Sequence, residues 1–130
     1  MKTLRSPLGR VLGYGAAKEG TVSHWWLQRL TSAALVPLTV WFVYCLLTLP
    51  ALDYATVVAW LSSTWSALLL ILLVLTATRH SQLGLQVVIE DYVHSHGVKT
   101  ITLVLITFAH VVIAAAATFA ILKVAFGGAR

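Results

Sequence analysis

The sequence predicts an all-α membrane protein of three transmembrane helices, and three observations carry that prediction. Hydrophobic residues make up 59% of the 130 residues and charged residues only 10%, against about 25% charged in soluble domains. Three apolar stretches, residues 27–49, 63–89 and 99–126, each reach the roughly 20 residues that a helix needs to cross the hydrocarbon core. Tryptophans stand at their boundaries, Trp25 and Trp26 at one and Trp60 and Trp65 at another, where amphipathic rings prefer the membrane interface. At this length the chain is one domain at most.

Taken in order, residues 1–26 read as an N-terminal arm. Pro7, scattered charge and Gly9, Gly13, Gly15 and Gly20 disfavour a long helix over residues 1–24. No short apolar core precedes a small-residue cleavage site there, so the first span is expected to stay in the mature protein. That span, 27–49, contains Pro37, which a membrane helix tolerates when neighbouring groups satisfy the freed carbonyl. Ser32, Ala33 and Thr39 leave room for a close neighbour. Cys45 is the single cysteine and lies in an apolar run, so it reads as a small buried hydrophobe with no disulfide framework or thiolate cluster. The second span, 63–89, is apolar in its first half and polar in its second. The third, 99–126, carries alanines at 114–117 with Thr118 and Ala120, small residues that permit tight helix approach. Three thin helices enclose no sizeable cavity, so a partner subunit is expected.

Orientation follows from Lys and Arg in the short connections. Lys2, Arg5, Arg10, Lys18 and Arg29 cluster before and at the mouth of the first span, whereas the connection 50–62 has no Lys or Arg and only Asp53. Lys99 flanks the second connection, and the tail holds Lys123 and Arg130. The expected arrangement is a multi-pass protein of a bacterial inner membrane, with the N-terminus cytoplasmic and the C-terminus periplasmic. The net charge of +5 is mostly this bias, and no nucleic-acid partner is expected.

The chemistry concentrates on the second span. At 100° per residue, Arg79, Gln82, Gln86 and Glu90 fall on one stripe, and His80, Gly84, Val87 and Asp91 on a second beside it. Ionisable groups at membrane depth cost roughly 2.5–3.5 kcal/mol each, which makes them functional candidates. His80 and Asp91 are 11 positions apart, about 16 Å along the axis at 1.5 Å per residue. The imidazole therefore lies deep in the hydrocarbon, and Asp91 and Tyr92 near the cytoplasmic interface. A neutral imidazole is a good axial ligand for haem iron, and Gly84, one turn on, removes a side chain where a flat macrocycle would approach. An interhelical hydrogen bond accounts for His80 equally simply. Arg79 has two readings, a haem propionate or ordinary polar partners. Asp91 and Tyr92 suit either an exposed helix end or a quinone site, in which a tyrosine hydroxyl bonds the quinone carbonyl and a carboxylate supports proton delivery.

His80 and Gly84, followed by Val87, Val88, Asp91 and Tyr92, form a pattern that resembles the smaller, D-type membrane anchor of succinate dehydrogenase, respiratory complex II. Arg29 and Thr31 at the start of the first span, the opening at residues 6–10, the run at 18–20, and His24, Trp25 and Trp26 extend the resemblance over essentially the whole chain. The resemblance implies half of a heterodimeric membrane-anchor bundle holding one haem b, with His80 as this chain's axial ligand and a second histidine from the C-type anchor subunit. It further implies that Tyr92 bonds ubiquinone while Asp91 holds Tyr92 in place. Arg29 resembles the arginine near the haem propionates and the quinone entrance. Electrons from succinate would arrive through a flavoprotein subunit and an iron–sulfur subunit, linking the tricarboxylic acid cycle to the respiratory chain. Arg79 departs from the pattern, being more polar than expected beside the ligand.

His110 lies at a depth similar to that of His80, but the resemblance puts the second ligand on the partner, leaving His110 an interhelical hydrogen bond. His24, His94 and His96 fall near the cytoplasmic interface, where solvated histidines are usual; a proton-carrying role at the quinone mouth is open to His94. None has metal-site spacing. No Gly-rich dinucleotide fingerprint occurs and one cysteine cannot hold a cluster, so the chain is expected to act only within succinate:quinone oxidoreductase. Two other readings stand beside this one: the anchor of a fumarate reductase, and a small proton-relaying transporter or assembly subunit without haem.

Overall fold

A computed structural model describes residues 19–127. Readings that rest on residues 1–18 and 128–130, including the charges of Lys2, Arg5, Arg10, Lys18 and Arg130 and the break expected at Pro7, lie outside the described residues. The remainder folds as α1 (Glu19–Thr48), α2 (Tyr54–Leu61), α3 (Thr64–Tyr92) and α4 (His96–Gly127). Ser23–Thr48 within α1, together with all of α3 and α4, is long and apolar enough to cross a membrane.

The helices extend beyond the apolar stretches that announce them. α1 is already helical at Glu19, because no proline or further glycine interrupts the chain between Gly20 and Pro37. It also continues through Pro37. α3 runs on to Tyr92, where Val93 closes it with a backbone N–H to the Ile89 carbonyl at 2.9 Å. Lys99 Nζ reaches back to the Glu90 carbonyl at 2.8 Å, placing a cation on the negative end of the α3 dipole.

The first connection contains a short helix that hydropathy did not announce. Asp53 caps α2, its Oδ1 accepting from the Thr56 backbone N–H at 2.8 Å. Trp60 then stacks on Trp41 of α1 with ring centroids 6.0 Å apart and meets Phe42 at 6.3 Å. α2 thus covers the end of the bundle opposite Tyr92.

α3 is the central helix. It packs against α1 on one side and α4 on the other, while α1 and α4 do not pack against each other. The buried set is correspondingly small: Leu38, Ser66, Ala67, Leu83, Ile89 and Ile121, with Leu83 of α3 only 1% exposed. Large apolar side chains such as Val36, Val40, Phe108 and Phe119 point outward. In a bilayer this exposure is ordinary, because lipid tails are as apolar as leucine.

Candidate functional site

The α1–α3 seam is built from a polar line on each helix. On α1, His24, Gln28 and Thr31 fall at i, i+4 and i+7 and share one face. On α3, His80 and Gly84 face them. His80 Nδ1 lies 2.9 Å from Thr31 Oγ1. A Cβ on Gly84 would meet Gln28 Nε2 at 3.7 Å, an ordinary van der Waals contact. Among the described residues, therefore, the side chain that comes up to Gly84 is Gln28. His80 is half-buried, and among the described residues its Nε2 has no hydrogen-bond partner.

Two atoms in this seam are buried without a partner, His24 Nε2 and Gln28 Oε1. Sequence position alone put His24 among the solvated interfacial histidines; its helical register with Gln28 turns it inward instead. The i, i+4, i+7 spacing from Thr31 was the signal that identifies it.

The opposite side of α3 bonds to α4. Arg79 Nη1 donates to Gln82 Oε1 at 2.7 Å, and Gln82 Nε2 donates to Thr107 Oγ1 at 3.0 Å. Gln86 Nε2 donates to Glu90 Oε1 at 2.7 Å. The stripe read from the sequence as Arg79, Gln82, Gln86 and Glu90 is thus threaded by its own hydrogen bonds. His110 of α4 occupies both ring nitrogens, with Nδ1 2.8 Å from the Ile106 carbonyl and Nε2 3.2 Å from Ser81 Oγ. A carbonyl only accepts, so Nδ1 carries the proton and Nε2 accepts from the serine.

Arg29 stands apart from His80. It is two positions from Thr31, about 200° around the helix, and its guanidinium carbon sits 4.8 Å over the Trp25 ring. That is cation–π distance. Asp91 and Tyr92 end α3, with Tyr92 78% exposed. Neither side chain has a hydrogen-bond partner among the described residues, so none of these holds the Tyr92 hydroxyl. The fold brings His80 to Thr31 and Gly84 to Gln28, but it does not bring Arg29 to His80 or Asp91 to a partner. Among the described residues no three His, Cys, Asp or Glu side chains gather as a metal site.

Comparison with known proteins bears on this arrangement. Residues 2–122 match the family described as succinate dehydrogenase/fumarate reductase transmembrane subunit. A curated relative from Rickettsia conorii, named succinate dehydrogenase hydrophobic membrane anchor subunit, is 33% identical over 93 residues, covering 71% of this chain and 73% of the relative. Proteins of the same name from Rickettsia bellii (35% identical, 68% of this chain and 70% of the relative) and Rickettsia felis (32%, 69% and 75%) are also similar. No solved structure matches the chain.

Proposed function

We propose a function from the premise that the chain belongs to the succinate dehydrogenase/fumarate reductase transmembrane subunit family and is a multi-pass membrane anchor subunit of succinate dehydrogenase: it ligates haem b through His80 and completes a ubiquinone site at Asp91 and Tyr92. The observation that carries the haem assignment is the state of the His80 ring. Its Nδ1 is held by Thr31 at 2.9 Å, and its Nε2 has no partner among the described residues; the other unpartnered imidazole nitrogen of that seam, His24 Nε2, lies near the start of α1 rather than mid-helix. His110, the rival at similar depth, spends both nitrogens on hydrogen bonds.

These residues fit a porphyrin iron. The His80 imidazole is half-buried near the middle of a 29-residue helix with Nε2 unpartnered among the described residues, whereas Gly84 one turn away is met by Gln28, so a close approach of the macrocycle there requires that amide to move. One axial ligand from this chain requires a second from outside it, which accords with a three-helix row whose faces are open. We assign that ligand to a C-type anchor subunit. Haem, when bound there, supplies one-electron redox capacity beside the quinone.

At the end of α3, the exposed Tyr92 hydroxyl is free to donate a hydrogen bond to a quinone carbonyl, and Asp91 beside it is placed to support proton delivery from the aqueous side. An iron–sulfur subunit covering this end would deliver electrons originating at a flavoprotein subunit. Arg29 belongs to the same membrane end and faces away from α3, so a propionate or quinone contact there requires a group supplied between subunits. The excess of Lys and Arg before α1 supports a cytoplasmic N-terminus.

The test is purification of the assembly in mild detergent. A flavoprotein, an iron–sulfur protein and a second anchor are expected to co-purify with a b-type haem spectrum, and His80→Ala is expected to abolish that spectrum. A spectrum untouched by His80→Ala defeats the ligand assignment.

A further inference from the structure

We propose that Thr31 is the positioning residue of the haem ligand: its hydroxyl accepts the Nδ1–H of His80, fixing the tautomer that leaves the Nε2 lone pair bare. The inference rests on the reading of His80 as an axial ligand and adds to it how a helix 49 residues earlier in sequence sets the ligand's state.

The argument is one of proton counting. Thr31 Oγ1 lies 2.8 Å from the Leu27 carbonyl, 3.0 Å from the Gln28 carbonyl and 2.9 Å from His80 Nδ1. A hydroxyl has one proton and two lone pairs, whereas a backbone carbonyl has no proton at all. The i−4 back-bond is the usual resting place of a helical threonine proton. With that proton on α1, the face of the oxygen toward α3 is a lone pair, and the 2.9 Å contact is made only if Nδ1 supplies the hydrogen. A neutral imidazole has one N–H, so Nε2 is then an acceptor facing away from α1. Back-bonding also polarises the hydroxyl and strengthens it as an acceptor.

Thr31 thereby does three things for His80. It selects the tautomer, it restrains rotation of the ring, and it draws the Nδ1 proton so that Nε2 becomes a stronger donor. A stronger donor favours ferric over ferrous iron and lowers the haem potential. Such partners of ligating histidines typically carry 10–100-fold in metal affinity.

The experiment uses the whole complex with Thr31→Val, which keeps the shape and removes the acceptor, and Thr31→Ser, which restores the hydroxyl. Thr31→Ala serves if the valine variant does not assemble. Expected are a midpoint potential more positive than wild type, altered low-spin haem resonances in EPR, and haem loss in detergent about tenfold faster or more for Val or Ala, all three reversed by Ser. A wild-type potential and EPR spectrum in Thr31→Val or Thr31→Ala overturns the inference, as does a Ser variant as perturbed as Val. His80→Ala run alongside separates the two layers. Haem lost there, with an unperturbed Thr31→Val, defeats the threonine's role alone; haem retained there defeats the ligand assignment and this inference with it.

Discussion

Ser81 Oγ and His110 Nε2 lie 3.2 Å apart and tie α3 to α4 one residue beyond His80. His80 and His110 therefore serve two different seams of α3. His80 is turned toward α1 and His110 closes the seam with α4, so two histidines each within a long apolar helix do different work.

His110→Phe in the assembled complex is expected to keep the haem spectrum and lose a little stability. An interhelical hydrogen bond in a membrane averages about 0.6 kcal/mol and reaches about 1.7. Thermal denaturation of the complex in detergent, followed by haem absorbance, measures both quantities.

Tyr92→Phe removes the hydroxyl without emptying the ring's place at the end of α3. Quinone reduction is expected to fall about tenfold, the equivalent of one hydrogen bond of roughly 1.4 kcal/mol, while succinate-to-dye activity stays near wild type. Equal losses in both assays would point to disturbed assembly instead.

Arg79→Leu is expected to leave the haem spectrum intact, because the guanidinium is engaged with Gln82 on the side of α3 that bonds to Thr107. Removing a charge from mid-span also lightens insertion by roughly 2.5–3.5 kcal/mol. A glycosylation-mapped insertion assay on the isolated α3 segment reads the second effect. A shifted haem spectrum would show that Arg79 reaches a propionate after all.

Hydrogen bonding from the Thr56 side chain, and then from its backbone N–H, holds the Asp53 carboxyl below the usual carboxylate range. A depressed folded-state value means that the cap stabilises α2 fully above the unfolded-state pKa, and the contribution is lost as pH falls through the folded one. Hydrogen exchange of the α2 amides in wild type and Asp53→Asn, compared at each pH, should diverge near neutrality and converge in acid.

The spans were legible because membrane hydropathy is a composition signal that survives without knowledge of packing. The place of His80 along α3, the polar stripe from Arg79 to Glu90 and the terminal position of Tyr92 followed from helical period and hydropathy. α2 was not expected, although Asp53 is a favoured N-cap residue, because an eight-residue helix leaves no long apolar stretch. Thr31 was noticed as part of a pattern, but its partner lies on another helix, and no local period reveals a contact across 49 residues. The inward turn of His24 escaped notice for a related reason: an interfacial position suggests water, and only the register with Gln28 and Thr31 says otherwise. Arg29 stands over Trp25, four residues earlier on the same helix, a contact that the i, i+4 spacing does offer.

Among the described residues α1 and α4 do not pack against each other and are joined only through α3 and the short α2, so the two seams of α3 are bonded separately. Changes at Thr31 and changes at His110 should therefore sum when combined, with a double-mutant coupling term near zero. The flank that joins Thr31 to His80 is thus open to change while the flank at Ser81 and His110 keeps α3 upright.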